Sequence, residues 1–377
     1  MNSIKADQVR RVVVRGANWV GDAAMTIPAL RELRHLLPHA HIRLVSRSGT
    51  AGLFTDTSFI DELSVSDRSD WRSLGNEIAE WKRGRFDLAI LFPNSFQVAL
   101  IAALARVPVR LGYAAQGRGF LLTNSLPLPE WRGSRHEVFY YLNVIFKLER
   151  LLSGTSQMME RKPDVSLQVS DERQIEASEV LRQMGARDGH TLVALCPGSI
   201  NSRAKRWPAE RYAALADRLI DELDAEVLLI GSPGERDVSV QVASHMRRHP
   251  IIATGTTDLS SATAMLSLVD LLVTNDTGPA HIASALGRPT LVIFGPTNPL
   301  TTPPFSPVGE IIRQPPVCAP CMLRDCPIDH RCMTAISPDE VFQRARALLG
   351  MSDKLQFVEF ANPANAGNKL KFAGHLR

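Results

Sequence analysis

Nowhere in the 377 residues does an uninterrupted apolar run reach the roughly 18–20 residues that carry a helix across a bilayer. The opening residues Met1-Asn2-Ser3-Ile4-Lys5-Ala6-Asp7 lead straight to Val12-Val13-Val14, with no basic stretch followed by an apolar one. No cleaved signal is therefore expected, and the chain is expected in the cytoplasm. Neither sign of charge dominates: 43 Lys plus Arg stand against 39 Asp plus Glu, a net charge of +4. That excess is too small to point to nucleic acid, and suits a small anionic ligand or light contact with an anionic membrane surface. Cysteine is scarce and odd in number, five in all, which argues against a secreted disulfide scaffold.

The chain is too long for one ordinary core, so two domains are the natural expectation. Short β-branched runs alternate with amphipathic stretches, the grammar of parallel sheets covered by helices. Strands are expected over 9–14, 41–45, 61–65, 86–91 and 109–111, with helices over 23–36, 71–82, 95–105 and 137–152 between and after them. The polar stretch 153–163 reads as a linker. The same grammar restarts with strands over 191–196, 226–230, 251–253, 271–274 and 290–294, and helices over 209–223, from 235, over 260–268 and from 279. The expected division is one Rossmann-like domain over 1–160 and a second over 161–337. A closing helix over 338–350 is expected to return to the first domain, followed by a mobile tail over 351–377. Two doubly wound sheets in series place a ligand cleft at the carboxyl ends of their strands.

Three post-strand loops carry candidate chemistry. The first is Arg15-Gly16-Ala17-Asn18-Trp19-Val20-Gly21-Asp22, in which Asp22 is either a helix N-cap or a cleft acid. The second runs from Cys196 to Pro208 and includes Ser199, Asn201, Ser202 and Lys205, hydroxyl, amide and ammonium groups suited to a pyrophosphate. The third, Asn275-Asp276-Thr277-Gly278-Pro279-Ala280-His281, turns a strand into a helix whose first N–H groups form an anion site. His281 reads as a structural histidine. Glu235, in Gly231-Ser232-Pro233-Gly234-Glu235, is either a first-turn helix acid or an acceptor for sugar hydroxyls. Cys318, Cys321, Cys326 and Cys332 cluster at spacings a zinc ion tolerates, although a metal-free thiol loop is the favoured reading.

Trp19-Val20-Gly21-Asp22 with Ile27-Pro28-Ala29-Leu30, then Ala204-Lys205-Arg206-Trp207-Pro208, then Asn275 to His281 occur in that order. Together they resemble glycosyltransferase family 9, the ADP-heptose:lipopolysaccharide heptosyltransferases, and its type II members more than type I. The resemblance spans 9–349. It implies a GT-B fold with the acceptor on the first domain and ADP-heptose on the second, and inverting transfer without a cofactor or catalytic metal. Consistently, no Asp-x-Asp occurs in the chain.

The family's general base falls on Asp22, its phosphate-binding lysine on Lys205, its donor-contacting acid on Glu235, and its phosphate-side turn on Asp276-Thr277-Gly278. The implied acceptor is the inner-core glycolipid heptosyl-Kdo2-lipid A, at the inner face of the cytoplasmic membrane. Arg15, Asn18, Arg118 and Arg135 are the candidates to meet it, with Phe120 and Leu121 beside them. A family member with another acceptor or nucleotide-sugar (type I or III), and a two-lobed binding protein, are the alternatives.

Overall fold

The computed structural model describes residues 5–67 and 70–361. The first half runs β1 (Arg11–Arg15), α1 (Val20–Met25), α2 (Ile27–Leu36), β2 (His41–Ser46), α3 (Ser48–Ala51), β3 (Glu62–Val65) and α4 (Trp71–Gly84). It continues with β4 (Leu88–Leu91), α5 (Phe96–Leu104), β5 (Val109–Tyr113), β6 (Asn124–Leu126) and α6 (Glu137–Ser153). The second half begins with α7 (Asp171–Gln183), then β7 (Leu192–Cys196), α8 (Ala209–Leu223), β8 (Glu226–Leu229), α9 (Arg236–His245) and β9 (Ile251–Ile252). It closes with α10 (Leu259–Leu266), β10 (Leu271–Asn275), α11 (Gly278–Ala285), β11 (Thr290–Ile293), β12 (Gly309–Ile312), α12 (Arg331–Thr334) and α13 (Pro338–Ala361).

Each half holds a six-stranded parallel sheet, ordered β3-β2-β1-β4-β5-β6 in the first and β12-β11-β10-β7-β8-β9 in the second. The central strands β4, β7, β10 and β11 are buried along their whole length, as apolar strands covered on both faces should be. In both sheets the winding reverses beside the first strand, between β1 and β4 and between β7 and β10. Loops leaving strands at such switch points diverge and open a crevice. The three chemically rich loops of the sequence leave β1, β7 and β10, at these reversals.

One apolar cluster joins the halves: Ile27, Leu30, Tyr141 and Ile145 of the first pack in the same core as Leu192, Leu266 and Ile282 of the second. Helices α1 and α11 touch almost without side chains between them. A Cβ on Gly278 would stand 2.7 Å from Val20 Cγ1, and one on Gly21 would stand 3.1 Å from His281 Cδ2. The outer face of the second sheet has a core of its own around Trp207, Tyr212 and Leu219.

Several expectations need correction. The single helix over 23–36 is two, broken at Thr26, because Pro28 has no N–H to continue the ladder of α1. Strands β6 and β12 and helix α7 lie outside the expected elements. Both strands are short sheet edges without an apolar run, and only Ala177 and Leu181 of α7 are buried. Among its described side chains, the last helix packs on the second half and not on the first. Val341, Phe342 and Ala345 bury against the second half's outer core, with Arg218 of α8 stacked 3.9 Å over Phe342 and bonded to Asp339 at 2.8 Å. That helix continues to Ala361, beyond the expected start of the tail, and 362–377 lie outside the described residues. The stretch read as a linker is tied down: Met158 is buried, and Arg161 pairs with Glu32 of α2 at 2.5 Å.

Candidate active site

Trp19, not Asp22, occupies the N-cap position of α1, and no side chain caps that helix. Asp22 lies in the first turn, half-buried, with its carboxylate free of capping duty. Burial pushes its pKa up, while a hydrogen bond from the Tyr141 hydroxyl and the positive charge of Lys205 act in the opposite sense. An acid from the first half and a cation from the second are thus within electrostatic reach, as a site built across a cleft requires.

Lys205 sits in the short turn Arg203–Lys205. Its ammonium donates to the Asp276 carboxylate at 2.9 Å and to the Asp276 carbonyl at 3.2 Å. The same carboxylate oxygen accepts from the Thr297 hydroxyl at 2.6 Å. Asp276 therefore anchors the lysine. Beside it, the fully buried Asn275 ties three segments together. Its amide donates to the carbonyls of Pro197 at 2.8 Å and Gly198 at 3.1 Å, and its oxygen accepts from Trp207 N at 3.0 Å and Tyr212 Oη at 3.1 Å. All of this side chain's usual hydrogen-bonding capacity is met, so the β7 loop, the Lys205 turn and the end of β10 hold one geometry.

Thr277 is the N-cap of α11 and makes no side-chain capping bond, so the first amides of α11 are not capped by it. Its hydroxyl meets Thr274 Oγ1 at 3.2 Å. His281, one turn on, is buried against Gly21 and pushed down to about 4, chiefly by burial, so it is neutral near pH 7. Glu235 accepts from Ser232 N at 2.8 Å and Ser232 Oγ at 2.7 Å, closing a capping box. It also lies against the β7 loop, where a Cβ on Gly198 would stand 2.3 Å from Glu235 Oε1. The glycine is what lets the acid reach that loop.

The remaining loop residues divide. Asn201 is exposed and Ser199 is buried, with its carbonyl accepting from Arg206 at 2.9 Å. The Ser202 hydroxyl turns away from the cleft toward the carbonyls of Leu323 and Arg324, both at 3.2 Å. The cysteine segment there clamps the Lys205 turn from behind: Ala204 N donates to Arg324 O at 2.9 Å, and the His330 ring bonds to Ala204 O at 2.6 Å. All five cysteines are free, and among the described residues no group of three or more His, Cys, Asp or Glu is arranged to hold a metal ion.

Two of the three arginines expected to meet an acceptor, Arg15 and Arg118, need correction. Arg15 is 1% exposed, ion-paired with Glu77 at 3.9 Å, and donates to Ser66 O at 3.2 Å. Arg118 is 0% exposed and donates to Tyr113 O at 2.9 Å, to Ser95 O and Asn94 Oδ1 at 3.3 Å, and to Pro93 O. It is a staple between the loops after β4 and β5, not a surface charge. Arg135 stacks at 3.8 Å over Phe139, and Asn18 accepts from Arg47 at 3.0 Å near the cleft. Phe120 is exposed and Leu121 half-buried. Sequence reasoning passed over Tyr141 and Thr297, and treated Asn275 only as part of a motif. A tyrosine in the middle of an amphipathic helix carries no local signature of where its hydroxyl points. A cavity of about 420 Å³ between α7 and α10, lined by Arg173, Glu176 and Thr257, is separate from all these residues.

A model of glycosyltransferase family 9 (heptosyltransferase) matches residues 72–331. Lipopolysaccharide heptosyltransferase 2 of Escherichia coli K12 is 28% identical over 354 residues, which cover 90% of this chain and 98% of that protein. The structure of E. coli ADP-heptose lipopolysaccharide heptosyltransferase II superposes with a TM-score of 0.78 at 25% identity, covering 91% of this chain and 99% of that one. A family 9 glycosyl transferase from Veillonella parvula gives 0.79 at 26% identity, covering 93% and 100%. The expected GT-B architecture is the one present.

Proposed function

The chain belongs to glycosyltransferase family 9, and from that premise we propose that it transfers a heptose from ADP-heptose to the lipopolysaccharide inner core, with inversion and without a catalytic metal. The observation that carries the reading is the direct packing of α1, which holds Asp22, on α11, beside the Asp276 that holds Lys205 at 2.9 Å, so that the acid and the cation lie within electrostatic reach. The likeness to proteins named lipopolysaccharide heptosyltransferase 2 supports the choice of sugar and acceptor.

In this mechanism the domain over 1–160 binds the acceptor and the one over 161–337 binds the donor. Asp22 takes the proton of an acceptor hydroxyl as its oxygen attacks the anomeric carbon from the face opposite ADP. The bond from that carbon to the β-phosphate oxygen breaks, and ADP departs with the electron pair. Lys205 and the first amides of α11 meet the charge that grows there. Burial of Asp22 favours the role, since a carboxylate poorly solvated by water is the stronger base. Glu235 accepts from ribose or sugar hydroxyls of the donor, Asn201 donates to its pyrophosphate, and Asp276 acts through Lys205.

The acceptor is heptosyl-Kdo2-lipid A, met by light, reversible contact with the inner face of the cytoplasmic membrane. Asn18 and Arg135 are its candidate partners. Product analysis with ADP-heptose and defined truncated glycolipids tests the reading. A β-configured donor giving an α-linked heptose in the presence of EDTA is expected; retention of configuration, or activity restored only by magnesium, overturns the mechanism.

A further inference from the structure

Strand β11 ends at Ile293, and in the loop that follows three consecutive residues bond to three different parts of the molecule. The Pro296 carbonyl accepts from Met322 N of the cysteine segment at 2.9 Å. The buried Thr297 hydroxyl donates to Asp276 Oδ2 at 2.6 Å, the oxygen that also accepts from Lys205 Nζ at 2.9 Å. The Asn298 amide donates to the Gly133 carbonyl of the first half at 2.8 Å, and its oxygen accepts from Leu300 N at 3.0 Å. Farther along, the Thr301 carbonyl accepts from Glu137 N at 2.9 Å, and the Pro303 carbonyl meets His136 Nε2 at 2.8 Å. Because His136 Nδ1 accepts from Val138 N at 3.1 Å, Nε2 carries the proton and is the donor. One loop of the second half thus holds both the acid behind Lys205 and the start of α6.

We propose that Thr297 is a positioning residue for Lys205, acting through Asp276, and that Asn298 ties this positioning to the docking of the two halves. This rests on the reading of Lys205 as the cation that meets the leaving phosphate. A lysine head rides on a flexible four-carbon stem and takes its place from what it is bound to. A carboxylate held by that head alone would follow it. The Thr297 hydroxyl adds a second bond on the same oxygen, at a length typical of a charge-assisted one, from a β-branched side chain with few rotamers. Asp276 is thereby pinned from the scaffold side, and the lysine is pinned by Asp276. Thr297 and Asn298 share a peptide bond, so a shift of the Gly133 loop that moves Asn298 also moves the Thr297 hydroxyl. The distance between the halves is in this way felt at Lys205.

The test is Thr297→Val in the full chain, assayed with ADP-heptose and heptosyl-Kdo2-lipid A. The valine keeps the shape and loses the hydroxyl, and kcat/KM for the donor falls about tenfold, the worth of one hydrogen bond to a charged group. Thr297→Ser, which keeps the hydroxyl, restores most of the rate. Asn298→Ala lowers kcat/KM about fivefold, the worth of a neutral hydrogen bond. The readout that a merely structural role would not move is the background: placed on Lys205→Ala, neither change lowers the rate further. Should Thr297→Val fold poorly, Thr297→Ala gives the same comparison. Losses that add to that of Lys205→Ala, or a Thr297→Val rate equal to wild type, overturn the proposal. Lys205→Ala alone separates the two readings. An unchanged kcat/KM there sinks the role of Lys205 in transfer, whereas a lowered value with additive losses sinks only the part given to Thr297 and Asn298.

Discussion

The ammonium of Lys205 lies 2.9 Å from the Asp276 carboxylate, and Thr297 grips the same carboxylate oxygen at 2.6 Å. The lysine is thereby held in place before any donor arrives, and its pre-alignment depends on a residue that need not touch the donor. Lys205→Ala is expected to lower kcat/KM roughly 10- to 100-fold, the worth of one charge-assisted hydrogen bond. Asp276→Asn, which keeps the shape and loses the charge, is expected to lower it by a smaller factor through the same lysine. Initial rates against ADP-heptose decide it, and the double variant should be no worse than Lys205→Ala alone. Additive losses would mean that Asp276 acts on the donor independently.

Asp22→Asn is expected to cut kcat about 10²- to 10⁴-fold, the usual cost of losing a general base, with ADP still raising the melting temperature of the variant. A second consequence concerns stability. The folded-state pKa of Asp22 is raised, chiefly by burial. Between the ordinary carboxyl value and that raised one, the native state holds more protons than the unfolded state, so stability falls as pH rises through the window. Above it the ionised carboxylate is a net burden. The asparagine variant should therefore melt at least as high as wild type at pH 7, with its advantage vanishing below pH about 4. A variant that melts lower at neutral pH and higher in acid would reverse the sign.

Arg118 answers to stability, not to acceptor binding. Its guanidinium satisfies several buried carbonyls at once, and burial pushes its pKa down to about 10. Arg118→Met should cost about 3 kcal/mol in urea unfolding, since unpaired buried acceptors are expensive. Lys cannot reproduce a planar fork of five donors, so Arg118→Lys should recover little. Vesicle binding of whatever folded protein remains should be unaltered.

The thiols should react in an order set by exposure. Cys318 and Cys326 are exposed, whereas Cys196 is buried and pushed up to about 12. Brief iodoacetamide treatment of the native protein, read by peptide mass spectrometry, should label the first two and leave Cys196 intact until denaturant is added. Early labelling of Cys196 would mean that the β7 strand opens readily.

The loops of the site were legible in the sequence because each is punctuated. Gly21, Pro208 and Pro279 mark where strands give way to helices, and that punctuation sits where the switch points turned out to be. What Asp22 does was not legible, since N-cap and cleft acid look alike until Trp19 is seen in the cap position. Arg118 was misplaced for a different reason. A charge reads as surface, but Gly112 leaves space for it: a Cβ there would stand 3.0 Å from Arg118 Nη2. The destination of the last helix escaped as well, because its apolar stripe fits either half and only the packing of Phe342 under Arg218 decides.

The two sheets repeat one strand order, and the helix that follows β1 in one packs on the helix that follows β10 in the other. Nothing in either scaffold says which half should carry an acid and which a cation; that asymmetry lives in three short loops. The molecule is in this sense a vise with matching jaws and different inserts. Changes to the jaws alter how firmly it holds together, and changes to the inserts alter what it does. An exchange of the loop after β1 for that of a relative should therefore transfer acceptor preference without disturbing either sheet.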